Sequence, residues 1–171
     1  MNRSNLERFD VVAHSMGNFL LMETARSLAL SGQLNSTGSL GSVVLAAPDI
    51  DVDVFETQLR TLPQPVRDRM AVLVSQDDKA LRLSRRISGN TPRLGAGDAE
   101  DLDKFGIRII DLTKINDKTS LSHSKFADSP EIVQLIGLKL EEGDSFAPST
   151  STTGVIAQEL GNVLSLSLPL Q

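Results

Sequence analysis

Four short apolar runs are spaced along the chain, and each has a length typical of a buried strand. They occupy residues 9–13, 42–47, 71–75 and 107–112. Between and after these runs, apolar positions recur with helical spacing at about 19–32, 54–70, 79–88 and 129–140. Because strands that alternate with helices form parallel sheets covered on both faces, the pattern predicts an α/β fold with about four parallel strands.

Proline, glycine and polar residues mark the predicted breaks between these elements. Pro63 and Pro65 divide their stretch into one or two short helices, because proline disrupts a helix interior. Gly89 follows a predicted helix in the position that commonly ends one. Residues 90–105 are polar and rich in glycine, and this composition predicts a loop.

A change in composition near residue 140 predicts the domain boundary. Residues 141–154 are rich in serine, threonine, glycine and proline, which is typical of a flexible linker. We therefore predict one domain at 1–140 and a flexible linker with a C-terminal tail at 141–171. The strand predicted at 9–13 has nothing before it in the chain to pair with, so we expect the sequence to begin in the middle of a domain.

Composition excludes several classes of protein. The chain has 171 residues and a net charge of −5, so it offers no basic surface for nucleic acid. It contains no cysteine and two histidines, which excludes disulfides and cysteine-ligated metal sites. We expect no metal and no organic cofactor.

The sequence also lacks the signals of membrane insertion. The first ten residues are polar and charged, and no stretch of 18 apolar residues follows. We expect a soluble chain without a transmembrane segment. The expected location is cytoplasmic for the sequence as written, and unknown if the true N-terminus lies upstream.

The most informative stretch lies where the first strand gives way to a helix. Ser15 occupies the turn, with the small residues Ala13 and Gly17 two positions before and after it. A nucleophilic serine at such an elbow adopts a strained conformation that leaves room only for small neighbours. The backbone N–H of Met16, at the start of the helix, is the expected donor to an oxyanion.

A serine nucleophile needs a base within hydrogen-bonding distance. His14 is poorly placed to serve, because neighbouring side chains in an extended turn point apart. The other histidine, His123, follows the fourth predicted strand, and parallel strands deliver their C-terminal loops to the same edge of a sheet. We therefore predict His123 as the general base for Ser15.

The third member of such a site is a carboxylate that orients the histidine. The candidates all follow predicted strands and all satisfy the order serine, acid, histidine: Asp49, Asp51, Asp53, Asp77, Asp78 and Asp111. One of Asp77 and Asp78 could cap the following helix while the other orients the base. Topology alone leaves the choice open.

Five motifs in order resemble a bacterial α/β-hydrolase family of esterase- and lipase-like proteins. They are Ala-His-Ser-Met-Gly-Asn at 13–18, Ala-Ala-Pro-Asp-Ile-Asp at 46–51, the stretch 74–84, Pro-Arg-Leu-Gly at 92–95, and Ser-His-Ser at 122–124. The resemblance spans about residues 9–140 and implies the C-terminal half of an α/β-hydrolase domain. It implies Asp78 as the acid, and it places Asp49 at the same edge. We assign Asp49 and His14 as substrate-binding residues.

The predicted function is hydrolysis of a small-molecule carboxylic ester through an acyl-Ser15 intermediate. Two departures from the family pattern bear on it. Ala13 stands where the elbow usually has glycine, and we expect the upstream loop that supplies a second oxyanion donor in the family to be missing. The alternative is a truncated, inactive or partner-dependent fragment that acts as an interaction module. Self-association or a partner chain would then cover the exposed edge of the sheet.

Overall fold

The computed structural model of the protein describes residues 7–114, 123, 133–134 and 136–137. Within them, four strands lie side by side in chain order and every neighbouring pair is parallel. The strands are β1 (Phe9–His14), β2 (Leu40–Ala46), β3 (Met70–Val74) and β4 (Arg108–Asp111). The predicted α/β fold with a parallel sheet of four strands is confirmed.

Five helices connect or follow these strands in the described part of the chain. They are α1 (Gly17–Leu30), α2 (Val52–Arg60), α3 (Gln64–Arg67), α4 (Lys79–Ile87) and α5 (Ala99–Leu102). Pro63 precedes α3 and separates it from α2, as the sequence predicts. Gly89 adopts a φ of 73° just beyond the end of α4, a backbone conformation that glycine accepts without steric cost.

Alternating residues of the strands build an apolar core on each face of the sheet. On one face Val43, Leu45 and Val72 join side chains of α1, α2 and α3 in the larger core. On the other face Val44 and Leu73 belong to a smaller cluster, against which Ile136 packs from a helical stretch. Because β2 and β3 are buried along their whole length, their sequences are largely continuous apolar runs rather than alternating ones.

The prediction of a loop at 90–105 is wrong, because this segment contains short helical turns and is partly buried. It contains two short 3₁₀ turns, Leu94–Ala96 and Asp103–Phe105, with α5 between them. Leu94 and Leu102 are buried, and the Phe105 ring meets Phe55 edge to face with centroids 5.4 Å apart. Most residues of this segment are polar, and the composition therefore predicts a loop although a few apolar residues pack into the core.

Several predictions fall partly or wholly outside the described residues. The helix predicted at 129–140 is seen at 133–134 and 136–137, which are helical, while the linker and tail at 141–171 are outside. The division into a domain and a tail therefore stays a prediction. None of the helices in the described part of the chain is long and apolar enough to cross a membrane.

Candidate active site

Ser15 lies in the sharp turn between β1 and α1. Its φ of 54° is in the left-handed region, which costs a residue other than glycine about 1–3 kcal/mol. Its backbone N–H donates to the carbonyl oxygen of Ala46 at 3.1 Å, so the turn is held against the end of β2. The surrounding strands thus hold the serine in a conformation that it would not adopt by itself.

Two hydrogen bonds join Ser15, His123 and Asp78. The Nε2 atom of His123 lies 2.9 Å from the Ser15 hydroxyl oxygen, and its Nδ1 atom lies 2.7 Å from Oδ2 of Asp78. The carboxylate only accepts, so Nδ1 carries the hydrogen and Nε2 keeps its lone pair for the serine hydroxyl. In this tautomer the imidazole can take a proton from the serine.

Asp78 is completely buried and has two partners. Its Oδ1 atom accepts the Leu81 backbone N–H at 2.9 Å and so caps α4, while Oδ2 faces His123. The sequence suggests a division of labour between Asp77 and Asp78, whereas here one carboxylate performs both tasks. Asp77 instead accepts a hydrogen bond from the Ser75 hydroxyl at 2.5 Å.

Three of the other candidate acids have different partners in the structure. Asp111 accepts hydrogen bonds from the backbone and hydroxyl of Thr113, and Asp51 caps α2 by accepting two backbone N–H groups. The Asp49 carboxylate accepts from the Ser84 hydroxyl at 2.8 Å and lies 3.3 Å from Nε of Arg93. Asp49 thus contacts other residues of the same chain. Its assignment as a substrate-binding residue stays a prediction.

Met16 and His14 flank the serine on either side. Met16 is the residue that precedes α1, so its backbone N–H points with the positive end of the helix dipole. This N–H has no acceptor among the described residues, which leaves it available to an oxygen that develops negative charge. The Nε2 atom of His14 lies 3.2 Å from the backbone carbonyl oxygen of His123.

Asn18 is a further residue of the site, and its role was not predicted from the sequence. Its side chain is fully buried, and its Nδ2 atom donates to the carbonyl oxygens of Ser15 and Ala46, each at 2.9 Å. The Ser15 carbonyl also accepts the backbone N–H of Asn18 at 3.1 Å and that of Asp49 at 3.3 Å. The available signal was spacing, because Asn18 lies one helical turn before the buried Met22 on the core side of α1.

We expect Asn18→Leu, which keeps the size of the side chain but loses both donors, to loosen the elbow. The unfolding free energy should fall by about 1–3 kcal/mol, because buried carbonyl groups lose hydrogen bonds. Modification of Ser15 by a fluorophosphonate should slow about tenfold or more. Thermal denaturation and labelling kinetics measure the two effects, and wild-type labelling kinetics in this variant would contradict the role of Asn18.

Gly17 and Gly95 differ in how much space surrounds them. A Cβ atom placed on Gly17 would meet nothing within 4 Å, so the described structure has room for alanine there, and the expected need for a small residue at this position stays a prediction. Gly95 does face a steric limit, since a Cβ atom would lie 2.7 Å from the backbone of both Ala47 and Pro48. Its carbonyl accepts the Ser75 N–H at 2.8 Å and its N–H donates to Pro48 at 2.9 Å. Gly95 therefore joins the loops that follow β2 and β3.

Gly95→Ala is expected to destabilise the protein by about 1–3 kcal/mol, the range typical of overpacking. The added methyl group meets backbone atoms, which cannot turn aside as a flexible side chain can. Chemical denaturation measures the loss. Gly17→Ala is the matched control and should cost far less, and an equal loss in the two variants would contradict this account.

A comparison with known families bears on the resemblance drawn from the five motifs. Residues 1–139 match the family model of alpha/beta hydrolases of unknown function (DUF900). The chain belongs to this family. No curated protein and no solved structure matches the chain. Membership in the DUF900 family confirms the predicted α/β-hydrolase relationship, and the parallel sheet agrees with it.

Proposed function

We propose that the protein is a serine hydrolase that cleaves carboxylic esters through an acyl-Ser15 intermediate. The observation that carries the proposal is the chain of hydrogen bonds from Ser15 through His123 to Asp78, at 2.9 and 2.7 Å. A serine hydroxyl by itself is a weak nucleophile, and an adjacent base oriented by a third group is the arrangement that activates it. The strained elbow presents that hydroxyl at the edge of the sheet.

In the proposed reaction the Ser15 oxygen attacks the ester carbonyl carbon while His123 Nε2 takes the hydroxyl proton. The carbonyl oxygen becomes negative and is stabilised by the Met16 N–H at the start of α1. His123 then gives its proton to the departing alcohol, which leaves an acyl ester on Ser15. Water, deprotonated by His123, attacks that ester, and His123 returns the proton to the Ser15 oxygen as the acid is released. Asp78 stabilises the positive imidazolium in both halves of the cycle.

An apolar surface lies beside the nucleophile and supports an ester with an apolar part. Met16 and Leu20 are each 69% exposed, and Phe19 between them is 45% exposed. Residues three and four apart share one face of a helix, so these side chains form a continuous patch on the first turn of α1. The patch suits contact with an acyl chain or an aryl alcohol.

The proposal is tested by labelling the folded chain with an active-site-directed fluorophosphonate and mapping the modified peptide by mass spectrometry. We expect one phosphonyl group on Ser15, because only an activated serine reacts quickly with this reagent. Heat-denatured protein is the control and should remain unlabelled. Failure of the folded wild-type chain to react at Ser15 would contradict the proposed function.

A second candidate function is an interaction module that is active only when another chain covers its sheet. One observation favours it: in the described part of the structure β1 pairs with β2 alone, and Phe9 and Val12 are 44% and 46% exposed. An open edge of this kind attracts further strands. Light scattering over a range of concentrations tests it, and a monomer whose Ser15 is fully labelled would contradict it.

A further inference from the structure

His14 makes two contacts with His123 although 109 positions separate them in the sequence. Its Nε2 atom lies 3.2 Å from the backbone carbonyl oxygen of His123. The two imidazole rings also approach each other, with centroids 4.8 Å apart and planes inclined by 46°. The hydrogen bond holds the backbone of His123, and the ring contact places the His14 imidazole beside the His123 imidazole.

The hydrogen bond shows that one particular ring nitrogen of His14 carries a hydrogen. A carbonyl oxygen only accepts, so the Nε2 atom of His14 must carry the hydrogen that it donates. His123 has the opposite arrangement, because its Nδ1 atom donates to Asp78 and its Nε2 atom accepts from Ser15. The structure therefore places a hydrogen on Nε2 of His14 and on Nδ1 of His123, the only two histidines of the chain.

His14 is also attached to a rigid part of the molecule. It is the last residue of β1, it pairs in register with Ala46 of β2, and Ser15 follows it directly. The hydrogen bond from His14 thus fixes the position of the His123 backbone relative to β1, the strand that leads into Ser15. Misplacing a catalytic group by about 1 Å can cost about 100-fold in rate, so such a tie matters for proton transfer.

We infer that His14 is a positioning residue that holds the His123 backbone so that its ring reaches both Ser15 and Asp78. This inference rests on the proposed function, and it differs from the assignment of His14 as a substrate-binding residue. A residue that binds substrate changes KM, whereas a residue that places the base changes kcat and the rate of phosphonylation while KM stays constant.

Three variants separate the features of His14. His14→Gln keeps an amide N–H at the reach of Nε2, His14→Asn has the same group one bond shorter, and His14→Phe keeps a ring without the donor. We expect the Phe and Asn variants to lose about 10- to 100-fold in kcat and in labelling rate with KM within about twofold of wild type. His14→Gln should recover most of the loss.

The outcomes that would overturn the inference are equally specific. They are wild-type kcat in His14→Phe and His14→Asn, a rise in KM with unchanged kcat, or equal losses in the Gln and Asn variants. Circular dichroism shows which variants are folded. If His14→Phe does not fold, the comparison of His14→Gln with His14→Asn still tests whether His14 positions His123.

Nuclear magnetic resonance gives a readout that does not depend on turnover. Protein labelled with ¹⁵N-histidine shows only two imidazole rings, and we expect the Nε2–H tautomer for His14 and the Nδ1–H tautomer for His123. In His14→Gln the His123 Nδ1–H signal should persist, and in His14→Phe it should broaden or exchange faster. An unchanged signal in His14→Phe would overturn the inference, whereas an unreactive Ser15 beside the expected signals would contradict the proposed function alone.

Discussion

Ser15→Ala is expected to lower hydrolysis of an activated short-chain aryl ester to the background rate. The substitution removes the atom that forms the acyl intermediate, and loss of a nucleophile of this type costs about 10⁶ in kcat in a well-studied serine hydrolase. An activated ester is the right substrate, because its leaving group needs little assistance and a modest rate is still measurable. Release of the aryl alcohol, followed by absorbance, measures the effect.

Ser31→Ala is a matched control for that experiment. Ser31 directly follows α1, the helix that Ser15 precedes, and its hydroxyl donates only to the Leu28 carbonyl in the described structure. This variant should keep the wild-type rate. A Ser15→Ala protein that hydrolyses the ester as fast as wild type would show that the observed turnover does not involve the elbow serine.

Asp78→Asn is expected to lower kcat about 10⁴-fold while the protein stays folded. An amide at this position presents a donor where Oδ2 now accepts, so His123 would hold its hydrogen on Nε2 and could not take the Ser15 proton. The Oδ1 atom of asparagine can still accept the Leu81 N–H and cap α4. We therefore expect Asp78→Asn to lower kcat without unfolding the protein.

Asp77→Asn provides the comparison, since it alters the neighbouring carboxylate without touching His123. We expect its kcat within about threefold of wild type, measured together with Asp78→Asn and checked for folding by circular dichroism. A tenfold or smaller loss in Asp78→Asn, or an equal loss in the two variants, would remove Asp78 from the role of orienting acid.

The elements of the fold could be predicted because their signals are local. An apolar run followed by a small-residue turn and an amphipathic stretch is enough to indicate β1, the Ser15 elbow and α1. The acid could not be chosen in this way, because every candidate carboxylate leaves the sheet at the same edge. The choice depends on how α4 begins, where the capping oxygen of Asp78 leaves its second oxygen directed at His123.

Side-chain direction explains the remaining differences. Asn18 and His14 flank the serine within three residues, yet their roles depend on which carbonyl groups their side chains reach. Spacing predicts that the His14 side chain points away from that of Ser15, but it cannot reveal that the backbone of His123, 109 positions later, reaches that side chain. Contacts over such sequence distances are set by the packed sheet.

The double role of Asp78 links the first turn of α4 to the reactivity of the site. Local opening of a short helix generally requires less free energy than opening of central strands, so we expect α4 to lose its first turn before the sheet unfolds. The carboxylate would then lose the N–H group that fixes it, and His123 would lose its orientation. On heating, reactivity at Ser15 should consequently decline before the strands melt, so that the temperature range of function is set by one short surface helix rather than by the core.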